Sequence, residues 1–173
     1  MKNKKILAFG ASNSKSSINK ELASYVAFKI SNDVDVIDLN EYEVEIYSED
    51  RERVSGIPEK IKELYKKIGE VDLIVISFAE HNGTYSAAYK NIMDWLSRIN
   101  VEFYQNKEII MLSASPGQGG ASNVLLQAVN SSNIFGGNVL FSYALQSFND
   151  NFSEGKVISP KVEEVLNLKI KSI

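Results

Sequence analysis

The chain contains no cysteine, which excludes disulfides, thiolate nucleophiles and thiolate-ligated zinc or iron–sulfur sites at once. Any redox chemistry then has to come from a bound cofactor. With a single histidine, His81, and carboxylates scattered along the sequence, no metal site is expected. Long apolar runs are missing too: the longest, near Leu73 to Ala79, is far below the ~20 residues that span a bilayer, so no membrane partner is expected. The basic start Met1-Lys2-Asn3-Lys4-Lys5 is followed by an apolar stretch that stops at Gly10, too short for the core of a secretion signal. A cytoplasmic location is the expectation. Nor is there an excess of positive charge, since 22 acidic residues face 19 basic ones for a net charge of −3. No nucleic-acid partner is expected.

What the chain does have is 173 residues, 44% of them hydrophobic and 24% charged, enough for one domain spanning 1–173 with a full-sized core. Lys5 to Phe9 reads as a first strand, broken by the small polar run Gly10 to Ser17. Leu22, Tyr25, Val26 and Ile30 then mark a helix, and Val34 to Leu39 a second strand. Asn40 to Ser55 reads as an acidic loop with little regular structure. Gly56-Ile57-Pro58 opens a helix with Ile61, Leu64, Tyr65 and Ile68 on its apolar face and Gly69 as its stop.

Val71 to Phe78 is a β-branched run of the kind covered on both faces of a sheet. It breaks into Ala79-Glu80-His81-Asn82-Gly83-Thr84, after which Tyr85, Ala88, Tyr89, Ile92, Leu96 and Ile99 recur at helical spacing. Trp95 and Met93 on that helix read as core or subunit contact. A fourth strand, Lys107 to Ser113, ends in Ala114 to Gly120, and Val124, Leu125, Ala128 and Val129 place a helix after it. Gly136-Gly137 closes that connection, Asn138 to Leu145 forms a fifth strand, and Ser159-Pro160 starts a last helix. Strict alternation of strand and helix calls for an α/β/α sandwich on a parallel sheet. Five strands favour the flavodoxin-like order 2-1-3-4-5, in which the loops at 10–17, 79–84 and 114–120 meet at one mouth.

The first loop offers hydroxyls from Ser12, Ser14, Ser16 and Ser17, the ammonium of Lys15 and the amides of a helix start, the ingredients of a phosphate site. It is no nucleotide-hydrolysing P-loop: only four residues separate Gly10 from Lys15, one short of G-x-x-x-x-G-K-S/T, and the second glycine is missing. The G-x-G-x-x-G dinucleotide fingerprint is absent as well. Glycines at 117, 119 and 120 let backbone approach a flat ligand closely. Each loop has a plain reading when taken alone: serines that cap a helix, an ordinary strand-to-helix turn, a surface histidine. Their coincidence at one crevice suits a mononucleotide with a planar ring.

Three motifs, in order, resemble those of the NADPH-dependent FMN reductase family, a flavodoxin-like group of quinone, azo-dye and chromate reductases. The family's G-S-x-R-x-x-S-x-N falls on Ala11 to Asn19. Its P-E-Y-N-G-S-x-P falls on Ala79 to Ser86, with K-N-x-x-D-W following on Lys90 to Trp95. Its S-P-G-x-x-G-G falls on Ser115 to Gly120. Ser14 stands where relatives carry arginine, with Lys15 as the neighbouring cation; Ala79 and Ser86 replace prolines, and His81 replaces the commoner tyrosine.

The resemblance implies that Ser12, Ser14, Lys15, Ser17, Ile18 and Asn19 hold the FMN phosphate. Glu80, His81, Asn82 and Gly83 would line the ribityl chain and ring edge, and Ser115, Gly117, Gln118, Gly119 and Gly120 the slot for the ring. No side chain would act as acid or base. NADPH or NADH would be the electron donor, a small molecule the acceptor, and the protein a homodimer or homotetramer built on the helix from Tyr85 and the 41–52 stretch. An FMN electron carrier that does not itself oxidise a pyridine nucleotide is the second reading, and a non-catalytic binding protein the third.

Overall fold

A computed structural model describes residues 4–173; the first part of the basic N-terminal run lies outside the described residues. Five parallel strands form one sheet in the order β2-β1-β3-β6-β7: β1 is Ile6–Ala11, β2 Val34–Val36, β3 Leu73–Phe78, β6 Lys107–Ala114 and β7 Gly137–Leu145. In chain order of these strands this is the expected 2-1-3-4-5, a flavodoxin-like fold. Every residue of β1 and β3 is buried, as their unbroken apolar runs require of strands covered on both faces. Helices α1 (Ile18–Ile30) and α7 (Pro160–Lys171) cover one face around Leu22, Val26, Val75, Leu112 and Leu166. On the other face, α3 (Glu59–Gly69), α4 (Ala87–Ile99) and α5 (Ser122–Ser132) close over Ile61, Leu64, Ile76, Trp95 and Val124.

The 40–55 stretch is more ordered than its sequence pattern indicates. A 3-10 turn runs over Leu39–Tyr42, capped by Asp38, and α2 spans Glu49–Ser55. The Asp38 cap also ends β2 at Val36 rather than at Leu39. Helix α2 buries none of its residues, so it has no apolar stripe for periodicity to detect. Its ends instead hold it: Ser48 Oγ accepts the Arg51 amide at 3.2 Å, Glu49, Asp50 and Glu52 face the positive end of the dipole, and Gly56 stops it at φ 72°.

Two hairpins add further strands, β4 with β5 (Glu80–His81 with Thr84–Tyr85) and β8 with β9 (Phe152–Ser153 with Lys156–Val157), and α6 is a single turn over Phe148–Asn151. Pro58 caps α3, which begins at Glu59. Helix α4 and the 41–52 stretch, both expected to meet another subunit, pack on one another. Trp95 Nε1 donates to the Glu45 carbonyl at 2.9 Å, and the Tyr47 ring stands edge-on to Trp95 at 5.0 Å.

Candidate functional site

The loops after β1, β3 and β6 meet at the carboxyl ends of adjacent strands, where the chain reverses its direction of travel across the sheet. They enclose a cleft of about 200 Å³ lined by Ser12, Ser14 and Ser16 to Asn19 of the first loop and helix start, by Ala79 and Glu80, and by Ala114 to Pro116. The three-loop mouth read from the sequence is therefore present.

Its floor is set by close backbone contact. A Cβ on Gly10 would lie 2.5 Å from the Lys20 amide nitrogen and 2.9 Å from Asn19 carbonyl carbon, so the first turn of α1 rests directly on β1. Asn19, buried, locks that turn to the sheet: its Oδ1 accepts from Ser77 Oγ at 2.7 Å and from the Ala114 amide at 2.9 Å, and its Nδ2 donates to the Ala114 carbonyl at 3.3 Å. The Asn19 side chain thus positions the cleft and has one N–H left over.

The serines keep donor capacity. Ser12 Oγ accepts the Ser14 amide at 3.1 Å, and Ser17 Oγ accepts the Lys20 amide at 3.2 Å as the cap of α1, so each hydroxyl proton is still available to an anion. The first-turn amides of Ile18 and Asn19 have no acceptor among the described residues, as expected of helix-start N–H groups. Ser14, Lys15 and Ser16 are exposed. Ser16 lines the cleft; the serine-rich pattern contained that signal. Lys15 lies on an adjoining groove rather than in the cleft itself.

The second loop is a hairpin whose tip, Asn82 and Gly83, has φ of 53° and 80°. Asn-Gly is the pair that favours a two-residue turn with both φ positive, so these two residues are explained by backbone shape. His81, Asn82 and Gly83 are exposed and lie beyond the cleft. Glu80 reaches back: its carboxylate accepts the Val124 amide at 3.0 Å and Asn123 Nδ2 at 3.2 Å, capping α5 and tying the second loop to the third. Burial pushes the Tyr85 phenol up, with the Ser131 hydroxyl drawing it partly back.

The third loop is pinned at both ends. Ser113 Oγ donates to the Gly120 carbonyl at 2.7 Å, Ser115 Oγ to the Gly117 carbonyl at 3.2 Å, and the Ser147 amide to the same Gly117 carbonyl at 2.9 Å. Gly117, Gln118 and Gly119 are exposed at its crest, and Gly120 is buried with φ 58°. The amides of Gln118 and Gly119 find no acceptor among the described residues, and a Cβ on Gly119 would meet nothing within 4 Å. Hydroxyls and amides at one end of the mouth, with open glycine backbone at the other, suit a phosphate joined to a flat ring.

A flavodoxin-like sheet with free hydroxyls and helix-start amides in its first loop and exposed glycine backbone in its third is the arrangement expected of flavin-binding α/β proteins. Residues 4–150 match the NADPH-dependent FMN reductase family, and the chain belongs to that family of NAD(P)H-dependent oxidoreductases. An uncharacterized protein of Mycoplasma pneumoniae is 30% identical over 145 residues, covering 81% of this chain and 86% of the relative. A quinone reductase of Escherichia coli is 30% identical over 80 residues, which is 46% of this chain and 43% of that enzyme, so the match spans under half of that relative. Among solved structures, the flavoenzyme NAD(P)H:(acceptor) oxidoreductase FerB of Paracoccus denitrificans shares the fold with a TM-score of 0.81 at 20% identity, over 98% of this chain and 94% of that one. The NAD(P)H:quinone oxidoreductase of Methanothermobacter marburgensis gives 0.62 at 14%, over 97% and 91%.

Proposed function

We propose that the chain holds FMN in this cleft and uses it to pass reducing equivalents from NAD(P)H to a small acceptor such as a quinone, a free flavin, an azo compound or a metal oxyanion. The observation that carries the reading is the gathering of free donors in the cleft, the Ser12 and Ser17 hydroxyls and the amides of Ile18 and Asn19, beside a third loop whose exposed crest leaves the Gln118 and Gly119 amides without acceptors among the described residues. When bound, FMN supplies the redox chemistry itself.

The protein's part is to bind, orient and shield. The phosphate takes the serine hydroxyls and the helix-start amides, with Ser14, Ser16 and Lys15 at the rim. This anionic end meets the positive end of the α1 dipole. The Gln118 and Gly119 amides on the third loop would be the donors offered to the ring's polar edge, where added negative charge is stabilised. Glu80 keeps the second and third loops in register by its bonds to Asn123 and Val124.

A cleft of about 200 Å³ is smaller than the ~300–1,000 Å³ of sites that enclose a small molecule. Part of the cofactor therefore stays open to the acceptor, or to a second copy in a homodimer or homotetramer.

An absorbance spectrum of the purified protein reconstituted with FMN, followed by anaerobic titration with NADPH and with NADH, tests the reading. The expected result is a yellow protein bleached by a pyridine nucleotide and reoxidised by a quinone. A protein that retains no FMN overturns it. A yellow protein inert to both nucleotides, yet reducible by a separate reductase, moves the assignment to an electron carrier.

A further inference from the structure

The Gly117 carbonyl is the most heavily used acceptor of the third loop. It takes the Ser147 amide at 2.9 Å, Ser115 Oγ at 3.2 Å and the Gly120 amide at 3.4 Å. We propose that Ser147, which lies outside the three loops, is a positioning residue for the cofactor: its amide locks the Gly117–Gln118 peptide with the Gln118 N–H turned towards the ligand, and this raises the reduction potential of bound FMN. The proposal rests on the functional reading above, because it assigns a tuning role towards that reading's cofactor.

The lock follows from the planarity of the peptide unit. A trans peptide points its C=O and its N–H in opposite directions, so the donors that fix the Gly117 carbonyl also fix where the Gln118 N–H faces. Ser147 follows β7, and β7 lies on one side of β6 while β3 lies on the other. With the carbonyl drawn to the β7 side, the N–H faces the β3 side, where the cleft opens. That N–H has no acceptor among the described residues, and Gln118 is exposed. Without the lock, glycine backbone at an exposed crest turns over readily and presents a carbonyl oxygen in place of a donor.

Ser147 is itself held in an uncommon shape. Its φ of 44° and ψ of 57° are left-handed, a region that a residue with a side chain keeps only where its surroundings enforce it. Here Asn151 Nδ2 donates to the Gln146 carbonyl at 3.0 Å and to the Ser147 carbonyl at 3.2 Å, and the buried Phe148 ring stacks on Phe152 at 4.8 Å. The turn so fixed aims two successive amides at the third loop, Ser147 at the Gly117 carbonyl and Phe148 at the Ser115 carbonyl at 3.0 Å. A donor oriented before charge arrives stabilises added negative charge without reorganising. Reduced FMN therefore gains more from the lock than oxidised FMN does, which is what raises a potential.

The test uses the full-length chain. In the FMN-free protein, NMR is expected to show scalar coupling across the hydrogen bond from the Ser147 N–H to the Gly117 carbonyl. The FMN-loaded protein is then titrated anaerobically against reference dyes for its reduction potential, as wild type, Ser147→Gly, Ser147→Val and Ser147→Pro, each checked for unchanged circular dichroism. Glycine keeps both the left-handed shape and the amide, so Ser147→Gly is expected to match wild type. Valine resists that shape and proline also lacks the amide. Both are expected to weaken reduced FMN about tenfold relative to oxidised FMN, a fall of ~30 mV for a two-electron couple. Valine carries the test if the proline variant does not fold. A merely structural role would weaken both redox forms alike and leave the potential unmoved. Equal potentials throughout, a fall in Ser147→Gly as large as in Ser147→Val, or no coupling across the bond would overturn the proposal. If the coupling is present while the wild type retains no FMN, the functional reading fails and the locked peptide stands.

Discussion

Asn19 Oδ1 accepts the Ser77 hydroxyl at 2.7 Å while also accepting the Ala114 amide at 2.9 Å, so one side chain of α1 joins two neighbouring strands beneath the cleft. Replacing it with leucine leaves the buried Ser77 hydroxyl and the Ala114 amide and carbonyl without partners. At about 1–3 kcal/mol for each buried polar group left unsatisfied, Asn19→Leu is expected to lose at least ~2 kcal/mol in urea unfolding and to release FMN. Wild-type stability in that variant would show that the stitch is dispensable.

Glu80 acts on loop geometry rather than on the core. Because it caps α5 from another loop, Glu80→Ala is expected to cost about 1 kcal/mol in thermal unfolding, the usual loss at a helix start. FMN retention is expected to fall further, about tenfold, as the second and third loops lose their register. Glu80→Gln, which keeps an acceptor oxygen, should recover most of the binding. An equilibrium dialysis series over the three proteins decides this.

Tyr89 and Tyr104 share one hydroxyl–hydroxyl bond of 2.6 Å in the core, and burial pushes both phenols well up. Tyr89→Phe strands the Tyr104 hydroxyl and is expected to cost about 1–3 kcal/mol, whereas the double change to phenylalanine removes both polar groups and falls nearer to wild type. A double-mutant cycle by urea titration measures the difference. Additive losses would mean that the pair is not coupled.

Asp38 sets a pH dependence. The hydrogen bond from Lys20, then that from the Asn40 amide, hold its carboxyl below the ordinary 3.8. A folded-state pKa below the unfolded one gives stability that is fully present above the unfolded value and is lost as pH falls through the folded value. Asp38→Asn is expected to be about 1 kcal/mol less stable at pH 7, with the gap to wild type closing as pH is taken below 3.8. A gap that persists unchanged in acid would assign the loss to packing.

The sheet order and the position of the cleft were legible because they follow from strong signals: buried β-branched runs, helical periodicity and small-residue loops after β1, β3 and β6. Helix α2 was not, since none of its residues is buried and only its cap chemistry, Ser48 before three acidic residues and Gly56 after, betrays it. The hairpin at Asn82-Gly83 was missed for the opposite reason. Its dipeptide signal was plain, but the same residues matched a binding motif that absorbed them. Asn19 and Glu80 fall in the expected loops and line the cleft, yet their hydrogen-bonding partners lie more than 40 positions away in sequence, which no local pattern contains.

Gly10 has a consequence for how a ligand arrives. With the backbone of α1 seated on that of β1 and no side chain between them, the start of α1 is held directly against the sheet. On the proposed reading, FMN is expected to associate with the amides of that helix start without a slow closing step, with little ordering entropy spent there. On the same reading, conformational adjustment on binding is expected at the exposed tips 81–83 and 117–119, with the helix start serving as the fixed anchor.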